Sequence, residues 1–408
     1  MPGVPYKNCF GWIGLCVLAG ASQAAEWDVQ WEGNIQLQNR AYFHEPAPQQ
    51  HTGPDYSYAL TPQLKAGDPA DDVLLTGKLF YRKDFTDRAR THWDIRELKL
   101  DQNLGDTQIT WGVDSVFWGK TESQNLVDII NQRDGVEGVF SDEKLGQPMV
   151  RLRQLSTRGV LEAYYLPYSR QATYAGRDGR LRTMPGIEGD RAQYRSGAGQ
   201  WYPGFAMRWE PDMADVDLGL SVFHGLSRDP SFVPIRHDAE AWFAPVYSPV
   251  TQLGLDSQYV TEQTLYKLEA IYRTGQLDLA LRERNYAAVT IGLEHTLGSF
   301  MGGSGDLGLI LEYNRDGMGK RSINPLQDDI VLGARYTLND SADTYLLATV
   351  ALDRIYASQL YKIELTRRLG QSLKLTAEAF IPSLNDDQEF IYGYRRDAVV
   401  TTSLSYYW

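Results

Sequence analysis

The sequence predicts an all-β protein: one transmembrane, antiparallel, up-and-down β-barrel of 18 strands, with 16 as the next count. Three observations predict it. Apolar and polar residues alternate with period two along nearly the whole chain, the signature of strands with one greasy and one wet face. The connections between these segments are short and long in strict turn. And although the chain is 43% apolar, no stretch after residue 24 is long and apolar enough for a spanning helix, which needs about 20 such residues.

The chain has 408 residues and a formal net charge of −12. An acidic balance argues against a general nucleic-acid binder, whose footprint is basic. The first 24 residues read as a secretory signal peptide. Lys7 precedes an apolar run from Phe10 to Ala21, and Ser22-Gln23-Ala24 supplies small residues for cleavage. Residues 25–408 then form a single domain. Both cysteines, Cys9 and Cys16, lie in the signal, so the mature chain is expected to enter an oxidising compartment without a disulfide. This excludes thiol catalysis and Cys-ligated zinc.

The first strand, 27–43, shows the pattern most clearly. Trp27, Val29, Trp31, Ile35, Leu37 and Phe43 share one parity; Asp28, Gln30, Glu32, Gln36, Gln38 and Arg40 share the other. The remaining segments are 55–66, 72–84, 92–102, 106–117, 147–155, 159–167, 203–210, 215–225, 250–260, 263–274, 285–296, 304–315, 327–338, 343–354, 357–368, 371–381 and 396–408. Most have the length of about 9–11 residues that a tilted membrane strand needs. Short connections such as Asn103-Leu104-Gly105, Ser156-Thr157-Arg158 and Leu369-Gly370 alternate with long ones at about 118–146, 168–202, 226–249 and 381–395. Outer-membrane barrels have short periplasmic turns, long outer loops and an even strand count. The 25 Tyr, 10 Trp and 13 Phe then have a place, as interfacial girdles that include Tyr56, Tyr58, Trp93, Tyr168, Trp209, Tyr313 and Tyr406. The last segment places Leu404, Tyr406 and Trp408 on one parity. It resembles the closing-strand assembly signal of outer-membrane barrel proteins, with Trp in place of the usual terminal Phe.

The opposite parity carries mixed charge. Lys267 with Glu269, Lys362 with Glu364, and Lys374 with Glu378 share strands; Arg151 and Arg153 face Glu162 across a tight turn; Glu294, Glu312 and Arg335 fall on successive strands. Residues i and i+2 point to one side, so these groups face the lumen, either bracing the wall or defining a solute path. In the first long connection, Thr121-Glu122-Ser123-Gln124 fits a helix capping box. Leu126, Ile129 and Ile130 follow at helical spacing. A short helix folded into the lumen is expected, with packing over the rim as the alternative. The 168–202 connection carries Arg170, Arg177, Arg180, Arg182, Arg191 and Arg195 and is read as a contact for lipopolysaccharide phosphates. The 226–249 connection, rich in Pro and aromatics, is read as a folded outer loop. Of the mature histidines (His44, His51, His92, His224, His237 and His295) none stands at a metal-ligand spacing. No nucleophile has an identifiable base. No enzyme, metal or cofactor is expected.

The stretch Ile95-Arg96-Glu97-Leu98-Lys99-Leu100, with Thr110-Trp111-Gly112, Phe117-Trp118-Gly119-Lys120 and Leu126-Val127-Asp128-Ile129-Ile130-Asn131, resembles a hairpin and following loop of porin-like outer-membrane barrels related to alginate-export channels. The resemblance covers about residues 92–135. Gly112-Val113-Asp114 stands where the family often has Gly-Arg-Gln, and Gln132 where Pro is common. It implies an outer-membrane location in a Gram-negative bacterium; the mixed inner face argues against a polyuronate as solute.

The sequence thus predicts a passive channel for small solutes through a mixed-charge lumen. Two alternatives stay open: a conduit for lipid, hydrocarbon or polymer working with an inner-membrane transporter, and a plugged structural or adhesive barrel. Expected partners are outer-membrane lipid and lipopolysaccharide, the barrel-assembly machinery and small solutes, with homo-oligomerisation open.

Overall fold

A strand that is apolar on one face only must bury or wet each face differently, and a closed sheet does both without a free edge. The computed structural model shows that solution. It describes residues 27–408 apart from 48–49, 52, 69–71, 139–142 and 238–239. The expected signal peptide lies outside the described residues. The elements in chain order are β1 (Asp28–Tyr42), β2 (Asp55–Asp68), β3 (Val73–Asp84), β4 (His92–Leu104), β5 (Thr107–Asp114), β6 (Gln147–Ser156), β7 (Gly159–Leu166), β8 (Gln193–Tyr194), β9 (Gly204–Pro211), β10 (Val216–Leu226) and β11 (Ser231–His237). They continue with β12 (Glu240–Tyr247), β13 (Pro249–Val260), β14 (Thr264–Leu277), β15 (Glu283–Leu297), β16 (Asp306–Asp316), β17 (Asp328–Thr337), β18 (Tyr345–Asp353), β19 (Gln359–Leu369), β20 (Leu373–Ser383) and β21 (Val399–Tyr407).

Eighteen of these form one antiparallel sheet; β8, β11 and β12 form a separate small one. The barrel closes where β1 pairs with β21, from Asn34 opposite Tyr407 to Tyr42 opposite Val399. The 18 expected segments correspond to the 18 barrel strands. The small sheet was not expected. Pro234 and Pro245 sit in its hairpin, where strand interiors normally exclude Pro; the sheet has only three strands and β12 meets β8 over two residues, Val246 and Tyr247, so neither proline stands inside an extended ladder on both sides.

The period-two pattern sorts the faces. Ile35, Leu37, Tyr58, Leu60, Leu253, Ile291, Leu309, Leu311, Leu332 and Ile363 are exposed on the outside, whereas Arg40, Arg82, Gln252, Glu269, Thr290 and Glu312 are buried within. Of the expected girdle, Tyr56, Tyr58, Trp93, Trp209 and Tyr406 are exposed on the outer face. No helix among the described residues is long and apolar enough to cross a membrane. All the long connections leave one end of the barrel. The closing strand carries Leu404 and Tyr406 outward, and the Trp408 N–H reaches the Gly33 carbonyl at 3.2 Å. A Cβ at Gly33 would stand 2.5 Å from the Trp408 ring, so the small residue makes room for the terminal indole.

Expected segment 106–117 ends early, at Asp114, because the chain turns off the wall there. Gly112 has φ +126° and no space for a Cβ, with the Leu98 carbonyl 2.1 Å from its ideal position. Replacing Gly112 by Ala is expected to cost about 1–3 kcal/mol from backbone strain alone, before the clash. The check is a lower guanidinium midpoint for the purified barrel in detergent; an unchanged midpoint contradicts the required conformation.

Candidate functional site

Between β5 and β6 the chain crosses the inside of the barrel. Its base is stapled by Asn131. The Asn131 amide donates to the carbonyls of Asp114 and Leu145, both at 2.9 Å, and its side-chain oxygen accepts the Val116 N–H at 2.9 Å. From Asp114 the segment runs to the opposite wall, where two carboxylates receive it. Glu269 on β14 accepts the N–H groups of Lys120 (2.7 Å), Thr121 (3.1 Å) and Val127 (3.3 Å). Glu312 on β16 accepts those of Glu122 and Ser123, both at 2.8 Å, and the Ser123 hydroxyl at 2.6 Å. Gln124 donates to Asn314 at 2.8 Å and accepts from Asn324 at 2.8 Å.

The segment takes the inward course, one of the two the pattern left open, but the helix does not form. Residues 118–132 contain no helix. Their amides, which a helix would use internally, are taken by the wall carboxylates instead. The Thr121 hydroxyl donates to the Gln124 carbonyl rather than capping its N–H. Gly119, at φ +150°, packs against Asn125 where a Cβ would clash. Leu126, Ile129 and Ile130 still bury together, without a helical face. They join Val116, Trp118 and Val127 against Met149, Tyr164, Leu166, Phe223, Val250 and Ile271 of the wall. Each fully buried aliphatic side chain contributes about 1.5–3 kcal/mol, so the loop is packed, not draped. Trp118 meets Tyr164 edge-on at 5.6 Å. Arg228, buried in the β10–β11 connection, donates to the carbonyls of Ile129 (3.2 Å) and Ile130 (2.8 Å).

The other expected wall pairs resolve as follows. Arg153 pairs with Glu162 at 3.5 Å, but Arg151 turns to Asp114 at 3.5 Å. Lys267 pairs across the ladder with Glu294 at 3.5 Å, leaving Glu269 for the loop. Arg335 bridges Glu294 (2.8 Å) and Glu122 of the loop (2.7 Å). Lys362 and Glu364 are 3.9 Å apart, and the Tyr345 hydroxyl donates to Glu364. Glu378 stands opposite Glu364, not Lys374.

Sequence reasoning missed a second anchor. Arg82 of β3 donates to Glu137 of the loop at 2.8 Å, and Arg90 pairs with Asp84 at 2.8 Å. Arg96 of β4 and His92 both reach Asp134. The shared inward parity of Phe80, Arg82 and Asp84 was readable; their partners, some fifty residues away in a loop, were not. His92, Asp134 and Glu137 bring possible metal-ligand atoms within 4.8 Å, but Arg82, Arg90 and Arg96 already compensate those carboxylates and would repel a cation. Burial alone would raise Asp134; hydrogen bonding from His92 and the charge of Arg96 overcome it and hold the carboxyl well below the usual range. Three arginines of the 168–202 connection also turn inward. Arg170 pairs with Asp94 at 2.5 Å, Arg180 with Asp397 at 3.1 Å, and Arg182 is buried over the Trp242 ring. Arg177 and Arg191 stay at the surface, paired with Glu240 and Glu188.

No family model matches the chain, and no curated protein matches it; the relation to alginate-export channels stays an expectation of the sequence. Solved structures similar to it include a double mutant of the Rhodopseudomonas blastica porin, 12% identical over 93% of this chain and all of that one, with a TM-score of 0.45. A triple mutant of the same porin has 12% identity, the same coverage and a TM-score of 0.44. The barrel here is defined by its own hydrogen-bond ladder, independently of these likenesses.

Two predictions follow from the anchors. Ser123 and Asn314 approach within 3.4 Å through their side chains, and the only cysteines are Cys9 and Cys16. The pair S123C and N314C should therefore be joined by a short bifunctional thiol crosslinker, seen as a mobility shift on gels; no shift with either a short or a longer crosslinker contradicts the inward course. In the outer connection after β20, burial raises the Glu389 carboxyl to about 7, and Ser358 donates to it at 2.5 Å. A raised folded value means the folded state holds the proton more tightly. The stability of this connection is thus full at low pH and declines as pH rises from the ordinary glutamate range through about 7. After division by the intrinsic, base-catalysed exchange rate, the protection of amides over 384–398 should be lower at pH 8 than at pH 5.5, and E389Q should flatten the difference.

Proposed function

We propose that the protein is an outer-membrane, porin-like channel that passes small solutes by diffusion. One observation carries this reading: the loop fills only part of the lumen. Its apolar side packs against the arc from β6 to β15. Across from it, between the loop and β17–β19, lies a cavity of about 480 Å³ lined by Glu122, Arg335, Thr337, Asn339, Tyr345 and Glu364. Glu378 is exposed on the adjoining strand, opposite Glu364. Barrels of 16–18 strands are wide enough to leave an aqueous lumen. The outer apolar face, the aromatic residues at its margins and the one-sided long loops support membrane insertion.

Cations and carboxylates mix along this lane: Arg335 and Lys362 stand among Glu122, Glu364 and Glu378, with Asp340 and Asp343 at its edge paired to Arg367 and Arg368. A mixed lining with only a small acidic excess supports passage with weak charge preference, and no covalent step is needed. A plugged barrel is the second reading, favoured by the dense ion-pair anchor at Arg82, Arg90, Arg96, Asp134 and Glu137.

Planar-bilayer recording separates them. The channel reading expects discrete conductance steps from the purified barrel, a cation-to-anion permeability ratio near unity, and larger steps after deletion of 121–132. A folded barrel that never conducts, with or without the deletion, supports the plugged reading and overturns the channel.

A further inference from the structure

The chain is acidic, yet one arc of its long-loop rim exposes mainly cations. The connections at 278–282, 317–327 and 354–358 lie side by side there. They are stitched by backbone bonds: the Leu279 N–H donates to the Arg321 carbonyl at 3.1 Å, and the Arg354 N–H to the Asp328 carbonyl at 2.9 Å. The cations of this arc outrun their partners. Asp328 is shared by Arg315 and Arg354, the second at 3.2 Å. Asp278 is shared by Arg284 at 2.9 Å and Arg282 at 3.7 Å. Each carboxylate therefore serves two guanidinium groups and leaves a positive excess. Lys320 and Arg321 are exposed beside them. Asp316, Asp329 and Asp353, on the neighbouring strand ends, are buried; Glu283 is the exposed carboxylate of the arc, and Asp387 is exposed on the adjoining connection.

The height of the arc matters as much as its sign. Leu309, Leu311, Tyr313 and Arg315 share the outward parity of β16. Leu309 and Leu311 are exposed within the apolar belt. Tyr313 follows at girdle level, donating its hydroxyl to Asp328 at 3.0 Å. Arg315 then stands one strand step higher, about 7 Å along the chain, with half its side chain exposed. In a barrel seated by that belt, this is the level of the lipid headgroups. A guanidinium keeps several donors free after one carboxylate contact, and its planar fork matches phosphate oxygens.

We propose that Arg315 and Arg354, held apart by Asp328, form a binding site for the phosphate groups of an outer-leaflet phosphorylated glycolipid, with Arg282, Arg284, Lys320 and Arg321 extending it along the rim. The site rests on the membrane-inserted reading above. It anchors one flank of the barrel to the leaflet and orients the barrel within it. It also differs from the 168–202 connection, several of whose arginines are spent inside.

The test uses the full mature barrel in neutral detergent, incubated with lipopolysaccharide, with chemically dephosphorylated lipopolysaccharide, and with inorganic phosphate. Retained lipid is read by native mass spectrometry and the thermal midpoint is followed in parallel. Wild type should retain the phosphorylated lipid and gain thermal stability, with little response to the dephosphorylated form. The variant R315Q/D328N/R354Q removes both guanidinium groups without stranding the carboxylate; it should weaken retention about tenfold or more, as expected from losing charge-assisted hydrogen bonds. R177Q, on another outer connection, should retain lipid like wild type. Mobility of the unheated protein on gels confirms that each variant is folded. Equal retention by the triple variant, equal retention of the dephosphorylated lipid, or full displacement by millimolar phosphate overturns the site. Failure of wild type to insert into phospholipid vesicles overturns instead the membrane reading on which it stands.

Discussion

The architecture inside the barrel depends on two buried carboxylates accepting backbone N–H groups from a loop. Glu269 and Glu312 stand in the wall, opposite the point where the chain leaves β5. Between them they accept five backbone amides. A segment without regular structure carries many donors that an interior must satisfy, and a charged acceptor satisfies them more strongly than a neutral one. Removing either carboxylate would strand donors at about 1–3 kcal/mol each. The same bonds explain why residues with a helical pattern do not make a helix: the wall outbids the helix for the amides.

Once the segment is held there, the rest of the interior follows. Its apolar residues face the β6–β15 arc and fill it with a packed core. Its far end carries Asp134 and Glu137 to the arginines of β3 and β4. What remains is a lane along β17–β20, and its lining is whatever charge those strands present. The division of the lumen into a packed side and an open side is thus set by where two glutamates fall on the inward parity of β14 and β16.

The strands were legible because outward-facing and lumen-facing residues obey a period of two, with turn residues between them; Ile35, Leu37, Leu309 and Leu311 fall where parity placed them. The closure of β1 on β21 and the count of 18 followed from the same pattern. The inner pairs were legible only in part. Arg153 with Glu162 and Lys362 with Glu364 are local in the sheet and could be read. Lys267 turning to Glu294, and Glu269 turning to the loop, depend on strand register and on a segment some 150 residues away. The cluster of Arg82, Arg96, His92, Asp134 and Glu137 was invisible for the same reason: half of it sits in a loop whose path no local pattern encodes. The β11–β12 hairpin was hidden by its prolines, which an edge tolerates and a strand interior does not.

Single-channel recording of E269A/E312A beside wild type tests the central claim most directly. If the two carboxylates hold the loop across the lumen and the lane beside it conducts, wild type gives steady steps. The variant, still folded by gel mobility, then gives larger and noisier ones as the loop moves. A variant whose steps match wild type in size and noise, or a wild type and variant that are both silent, contradicts the account.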